Sequence, residues 1–111
     1  MEITVTLKDE TIDEALKARA EAKARHLLKY YDKIQSIRVV LDKSGQGYTC
    51  EMIADLERMH DLVAKTTEHD PVAALEEAHK RLERQVRDHK DRTRHRKGRG
   101  PSPHQPPEAR P

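Results

Sequence analysis

The stretch IDEALKARAEAKARHLLKYYDKIQSIRVVLDK, residues 12–43, decides the fold because its apolar residues change their spacing partway along. In its first part they recur every three or four residues, which is the period of a helix buried along one side. These residues are Leu16, Ala20, Ala24, Leu27, Leu28 and Tyr31. From Ile37 through Val39 to Leu41, apolar and polar residues alternate, as in a half-buried strand. The stretch therefore predicts a helix over about 13–31, followed by a strand.

The start of this helix allows two capping arrangements. Thr11 and Glu14 have the spacing of a capping box, in which each side chain accepts a hydrogen bond from the other residue's backbone N–H. Asp13 is an equally good N-cap residue, because its carboxylate accepts from an N–H of the first turn. Both arrangements begin the helix close to residue 13.

Three further alternating runs predict the rest of a four-stranded sheet. Their apolar or inward positions are Ile3, Val5 and Leu7, then Tyr48, Cys50, Met52, Ala54 and Leu56, then His60, Leu62, Ala64 and Thr66. Short segments join the last three strands, which favours hairpins and an antiparallel sheet. The opposite positions are mainly acidic or neutral, so we expect one face of the sheet to meet water and the helices to cover the other.

A second helix begins at Asp70-Pro71, an N-cap residue followed by a proline at the first helical position. Its apolar stripe consists of Val72, Leu75, Ala78, His79, Leu82 and Val86. The pattern fades near Arg92, and Gly98 and Gly100 predict the end of the helix. His79 lies on the apolar stripe and is expected to be a core residue with its hydrogen bonds satisfied.

The element order is therefore β-α-β-β-β-α, which predicts an α+β fold. Two helices pack on one face of a four-stranded sheet, as in a double-stranded RNA-binding domain. We expect this domain to span residues 1–95. Residues 96–111 are rich in Pro and Gly with almost no apolar content, which predicts a basic, disordered tail.

The composition argues against several classes of protein. The N-terminus lacks the pattern of an export signal, and no apolar run is long enough to span a membrane. The single cysteine, Cys50, cannot form an internal disulfide, so we expect a cytoplasmic protein with no membrane partner. Seven histidines form no known metal motif, and Cys50 has no visible base partner. We therefore expect no enzyme activity, metal, cofactor or small-molecule substrate, and a core position for Cys50.

The net charge of +2 hides a strong separation of charge along the chain. Residues 79–100 hold ten Lys or Arg against three acidic residues, whereas residues 1–78 hold eleven against sixteen. A field directed in this way most commonly attracts a polyphosphate, meaning nucleic acid. A helix face that merely meets solvent would mix both signs, as any amphipathic helix does.

The helical wheel places Lys80, Arg84 and Arg87 within a narrow arc opposite the apolar stripe of the second helix. The first helix adds to this charge, since residues 15–29 contain five basic side chains and one acidic one. The chain has three tyrosines and no Phe or Trp, so few aromatic rings are available for base stacking. We therefore expect contacts to phosphate and sugar, with a folded RNA recognised by its shape.

The order and spacing of these segments resemble the bacterial ribosome hibernation factors, a family that includes hibernation promoting factor and ribosome-associated inhibitor A. Residues 12–43 resemble the family's first helix and second strand. The second helix is similar in its pattern of Asp70, Ala74, Leu75, Arg81-Leu82, Arg84-Gln85-Val86 and His89-Lys90-Asp91. The resemblance covers about residues 1–95. One departure is Pro71-Val72, where the family usually has Met-Tyr, so any rRNA contact from that tyrosine is lost.

This resemblance implies binding to the 30S subunit or the 70S ribosome through 16S rRNA, in the channel of mRNA and the A-site and P-site tRNAs. It further implies inhibition of translation by idle ribosomes under stress, by a protein that is a monomer off the ribosome. Carried over position by position, it implies rRNA contacts from Lys23, Arg81, Arg84, Gln85 and Lys90. The helical wheel alone adds Lys80 and Arg87, and it places Arg81 and Arg92 together on one flank of the second helix. Whether the chain also promotes pairing of ribosomes stays open.

Two other functions remain compatible with the sequence. The first is a general double-stranded RNA-binding or RNA-chaperone module, because the same α+β shape and basic helix would serve there. The second is an adaptor that binds an acidic protein and touches no RNA. Sedimentation with ribosomal particles separates these alternatives from a ribosome-binding inhibitor.

Overall fold

The structure, a computed structural model, describes residues 2–57 and 61–99, with side chains described as far as Arg92. It contains six elements. They are β1 Glu2–Leu7, α1 Ala15–Leu28, β2 Ile34–Ser44, β3 Gly47–Leu56, β4 Leu62–Glu68 and α2 Pro71–Arg99. The predicted α+β fold and its β-α-β-β-β-α order are confirmed.

The four strands form one sheet in the order of the chain, β1-β2-β3-β4. The predicted hairpins are present, because β3 pairs antiparallel with both β2 and β4, with Met52 opposite Val39 and Ala64. β1 pairs with β2 in parallel, with Val5 opposite Val39. The prediction of an antiparallel sheet is wrong for this pair, because α1 returns the chain to the end of the sheet where β1 began. The sheet is therefore mixed, with β1 and β4 at its edges.

The helix starts show which capping residues are used. Asp13 Oδ1 accepts a hydrogen bond from the Ala15 backbone N–H at 2.9 Å, whereas Thr11 turns back and donates to Asp9 Oδ1 at 2.7 Å. The capping box of Thr11 with Glu14 is therefore not formed. At the start of α2, Asp70 Oδ2 accepts from the Ala73 N–H at 3.0 Å, as its position before a proline predicted.

The core lies between the helices and one face of the sheet. α2 covers β3 and β4, while α1 lies over β1 and against α2. The buried residues are Leu16, Ala20, Ala24 and Leu27 from α1, Ile37, Val39, Leu41, Cys50, Met52 and Ala54 from the sheet, and Ala74, Leu75, Ala78, Leu82 and Val86 from α2, among others. The Thr66 hydroxyl donates to the Ala74 carbonyl at 2.7 Å within this core. This buried bond fastens β4 to the first turns of α2, so the two elements carry the candidate site as one unit.

The last helix runs past Arg92, where its apolar pattern fades, and ends at Arg99, between the two glycines that predicted its end. It continues through Gly98 to Arg99, so the expected domain boundary at residue 95 falls inside it. Arg and Lys are good helix formers, and their run past Arg92 supports the helix after the apolar stripe has ended. Residues 100–111, which make up most of the predicted tail, lie outside the described residues.

Candidate nucleic-acid interface

The outward side of α2 carries cations whose donor groups are free. Lys80 and Arg84 lie on this side about one turn apart, and Arg92 lies farther along the helix, on the flank that also carries Arg81. All three are exposed, and within the described residues their side chains have no hydrogen bond or ion pair. Asp88 and Asp91 are exposed on the same helix, so the positive surface is interrupted. An Arg or Lys without an internal partner keeps all its N–H donors for an anionic ligand.

Arg81 and Gln85 lie on the flank of α2 that faces β4, the edge strand of the sheet. Gln85 Nε2 donates to the Val63 carbonyl at 2.9 Å, and an Arg81 terminal N–H donates to the Lys65 carbonyl at 3.3 Å. An edge strand exposes unpaired carbonyls, and these two side chains occupy two of them. Both residues were predicted to contact RNA, and the structure gives both a place in the fold. Arg81 Nε also lies 3.8 Å from Glu77 Oε2, and about half of the Arg81 side chain remains exposed, so its remaining terminal donors can still meet a ligand.

Arg87 and Lys90 gather around Tyr30, just beyond the end of α1. Lys90 Nζ donates to the Tyr30 carbonyl at 2.7 Å, where a cation suits the negative end of the helix dipole. Arg87 lies 5.8 Å above the Tyr30 ring and 3.3 Å from Glu83 Oε2. A hydrogen bond from the Tyr30 side chain is the largest factor that lowers the pKa of Glu83. These predicted RNA-binding residues therefore also join α2 to the end of α1.

Lys23 lies between the two helices. Its Nζ is 2.8 Å from Glu76 Oε1, and Arg19 Nε is 3.3 Å from the second oxygen of the same carboxylate. The bond from Lys23 is the largest factor that lowers the pKa of Glu76, so this carboxylate is ionised at neutral pH. His26 and His79 approach with 5.4 Å between their ring centroids. Arg19, Lys23, His26 and His79 together line a cleft between α1 and α2.

The uncovered face of the sheet has the opposite character. The positions facing away from the helices include the carboxylates of Asp42, Glu51 and Asp55, all half-buried and without an ion pair among the described residues. Arg38 is paired with Asp61 at 3.7 Å. Val63, at 44% exposure, lies on this face of the edge strand. The basic groups on the outward side of α2 and these carboxylates thus lie on opposite sides of the domain.

Two groups that could suggest catalysis lie in the core. Burial raises the pKa of the Cys50 thiol to about 12, so the thiol stays protonated and is a poor nucleophile. His79 is buried as predicted, but its Nε2 has no hydrogen-bond partner among the described residues, so the prediction of a satisfied residue is wrong. Burial is the main cause that lowers its pKa, which keeps it neutral at pH 7.

The described part of the chain contains neither a cluster of metal-binding side chains nor a membrane-spanning helix. No three His, Cys, Asp or Glu side chains converge there in a way that could hold a metal ion. No described helix has both the length and the apolar content needed to cross a membrane.

Sequence reasoning missed Arg19, Glu76 and Tyr30. Arg19 and Lys23 are four residues apart on a flank of the buried stripe of α1, a spacing that could have indicated a shared partner. Glu76 is the partner, but nothing in the sequence shows which acidic residue of α2 faces α1. Tyr30 acts partly through its backbone carbonyl, which no pattern of side chains reveals.

The fold and its surface define a class: a small α+β domain with a mixed four-stranded sheet, two helices on one face and free cations along the last helix. A family model described as Sigma 54 modulation protein / S30EA ribosomal protein matches residues 3–94. The chain belongs to this family. The resemblance inferred from the sequence is thereby confirmed.

Solved structures show the same fold. The N-terminal domain of Protein Y from Thermus thermophilus has a TM-score of 0.70 and 28% identity, over 80% of this chain and 99% of that one. A ribosomal subunit interface protein from Coxiella burnetii also has a TM-score of 0.70, at 19% identity, over 82% of this chain and 99% of that one. The second likeness shows the fold alone. No match was found among curated proteins.

Proposed function

We propose that this chain is a ribosome hibernation factor. It binds the 30S subunit or the 70S ribosome through 16S rRNA, in the mRNA and tRNA channel at the A and P sites. By occupying that channel it inhibits translation by idle ribosomes under stress. The observation that carries this proposal is the family match over residues 3–94, since the family description names a ribosomal protein.

The surface supports the proposal through its free cations. Lys80, Arg84 and Arg92 present donors that no described residue uses, and phosphate oxygens are the acceptors that such donors suit best. Arg81 and Arg87 keep more than half of their side chains exposed, so they add to the same contact. Binding in this mode needs no reaction, because occupancy alone excludes mRNA and tRNA. It therefore calls for no cofactor and no small-molecule substrate, and it fits a cytoplasmic protein that is a monomer off the ribosome.

Gln85 and Lys90 have a different part in the proposal. Both donate to backbone carbonyls at 2.9 Å or less, and both are half-buried. They hold β4 and the end of α1 against α2, which fixes the direction in which the free cations point. Their share in rRNA binding is therefore to position the helix.

Sedimentation through a sucrose gradient tests the proposal. Purified chain is mixed with 30S subunits, 70S ribosomes, or an arbitrary RNA duplex of matched mass. Migration with 30S or 70S particles at one copy each, reduced by added tRNA, is the expected result. Equal binding to the arbitrary duplex would favour a general RNA-binding module. Failure to migrate with any RNA would favour an adaptor for an acidic protein, and either outcome overturns the proposal.

A further inference from the structure

The cleft between α1 and α2 has the donor groups of an oxyanion site. It has a volume of about 420 Å³ and is lined by Arg19, Ala22, Lys23, His26 and His79. Four of these five side chains carry nitrogen atoms that can donate hydrogen bonds, and Ala22 leaves space beside them. A cleft of this size is large enough for a phosphodiester group, not only for a bare ion.

A carboxylate already stands against the two cations of the cleft. Glu76 places Oε1 2.8 Å from Lys23 Nζ and Oε2 3.3 Å from Arg19 Nε. One oxygen for each cation is also how these residues would hold two oxygens of a phosphate. The Glu76 side chain is 38% exposed, so it meets solvent on one side.

His79 gives the second, independent sign of a ligand. This residue is 8% exposed, lines the cleft, and its Nε2 has no partner among the described residues. A buried donor or acceptor without a partner destabilises the fold, and such groups are rare. Glu76 bonds to Arg19 and Lys23 with its two oxygens and does not accept a hydrogen bond from the His79 nitrogen. Nε2 is itself buried, so a ligand reaches it only after the side chains around it have moved. A phosphate has more acceptor oxygens than a carboxylate, so it can then bind both cations and accept from Nε2 in the tautomer that carries its proton on that nitrogen.

We infer that this cleft binds one backbone phosphate of RNA, and that Glu76 is an internal anion which this phosphate displaces. The inference rests on the proposed function, because it takes rRNA as the source of the phosphate. Glu83, the other acidic residue near the cleft, keeps its place beside Tyr30, Arg87 and His26. In the free chain Glu76 neutralises the two cations, and a phosphate that enters must compete with it. Glu76 therefore weakens binding to isolated polyanions and is expelled where the RNA fits.

The test compares Glu76→Gln with Asp88→Asn. Each variant removes one negative charge from α2, but Asp88 is exposed and has no ion pair among the described residues. Binding to purified 30S subunits is measured by filter retention at fixed salt. Glu76→Gln should bind about two- to fivefold more tightly than the unaltered chain. Asp88→Asn removes a charge beside Arg84 and Arg92, so it is the control for the loss of charge alone, and the readout at the histidines separates it from Glu76→Gln. A second readout follows the imidazole NMR resonances of His26 and His79 during titration with inorganic pyrophosphate.

The two readouts separate the two proposals. If pyrophosphate shifts the His79 resonances, at lower concentration in Glu76→Gln than in Asp88→Asn, and Lys23→Ala abolishes the shift, the cleft is supported. If the His79 resonances stay fixed in Glu76→Gln, or if the two variants respond alike, the cleft is overturned. Absence of 30S binding by the unaltered chain would instead overturn the proposed function, while the pyrophosphate titration would still decide the cleft.

Discussion

Arg81 and Arg84 are three residues apart on α2, and their side chains end in different surroundings. Arg81 donates to a carbonyl of the edge strand, as does Gln85 beside it, at 3.3 and 2.9 Å. Arg84 and Lys80, on the outward side, have no partner within the described residues. The side chains on one flank of the helix donate to carbonyls of the edge strand, and those on the outward side keep their donors for a ligand. The comparison teaches that a basic helix is not uniformly a binding surface, since part of its charge is used by the fold.

The largest expected effect comes from substituting Ala for three exposed cations together: Lys80 and Arg84 on the outward side of α2, and Arg92 on its flank. Affinity for 30S subunits should fall about ten- to a hundredfold at moderate salt, because three phosphate contacts are lost. The slope of log affinity against log salt should flatten by about two to three units. Binding is measured by filter retention at several salt concentrations.

The folding of this triple variant is its control. Its urea unfolding should match that of the unaltered chain to within about 0.5 kcal/mol, since these exposed side chains make no hydrogen bond or ion pair within the described residues. An unchanged salt slope in a variant that still folds would show that these three cations do not meet RNA phosphates.

The opposite result is expected on the flank that faces β4. Replacing Arg81 and Gln85 together with Ala removes two hydrogen bonds to edge-strand carbonyls. The free energy of unfolding should fall by about 1–3 kcal/mol, measured in urea. Affinity for 30S subunits should fall less than in the triple variant. A double variant of unchanged stability with a larger loss of 30S affinity would reverse the roles assigned to the two sides.

A smaller effect is expected at the end of α1. Lys90→Met removes the donor to the Tyr30 carbonyl at 2.7 Å while keeping the length of the side chain. Unfolding should become easier by about 1 kcal/mol. Lys80→Met is the matched control, because it makes the same substitution at an exposed residue of the same helix and should leave the urea midpoint in place. Equal behaviour of the two variants would contradict the structural role of Lys90.

The smallest effect is a dependence of stability on pH. Burial lowers the pKa of His79 below its ordinary value of 6.5, so the folded chain takes up a proton less readily than the unfolded chain. Stability is then complete above about pH 6.5 and declines as the pH falls below that value. The neighbouring charges are Lys23, His26, Glu76 and Glu83, and the two glutamates have lowered pKa values that matter only below 4.5.

Thermal unfolding of His79→Leu between pH 7.5 and 5.5 checks this dependence. The variant should lose less stability over that interval than the unaltered chain, because its buried side chain cannot take up a proton. His69→Gln, a change at an exposed histidine before α2, should keep the original dependence. If His79→Leu and the unaltered chain decline in parallel, another group sets the pH response.

The fold could be predicted because periodicity decides it. The apolar spacing of Leu16 to Leu27 and the alternation of Ile37 to Leu41 required a helix and a strand, and Asp70-Pro71 marked the next helix start. The parallel pairing of β1 with β2 was missed, because alternation gives a strand its faces but not its direction. The parallel direction could have been derived from the helix between the two strands, because a helical crossover typically joins strands that run parallel.

The candidate site was predicted by residue type and only in part by role. The wheel located Lys80 and Arg84 correctly on the outward side, because the angle of a residue on α2 follows from its number. It placed Arg81 on a flank of the helix, but it could not show that Arg81 and Gln85 bond to the carbonyls of Lys65 and Val63, which the sheet makes available. For the same reason it did not pair Lys23 with Glu76, whose contact depends on how two helices pack. Local sequence patterns therefore could not predict contacts that depend on elements distant in the chain.

The strand order indicates the sequence in which the strands can pair as the chain is synthesised. Because the strands lie in the sheet in the same order as in the chain, each one that emerges during synthesis meets the edge left by the one before it. β1 is the exception in timing, since its partner appears only after all of α1 has been made. After β4 has paired with β3, the outer side of β4 is still an unpaired edge of the sheet. Arg81 and Gln85 later occupy two carbonyls of this edge, so a chain that stops short of them leaves both acceptors open to a strand of another molecule.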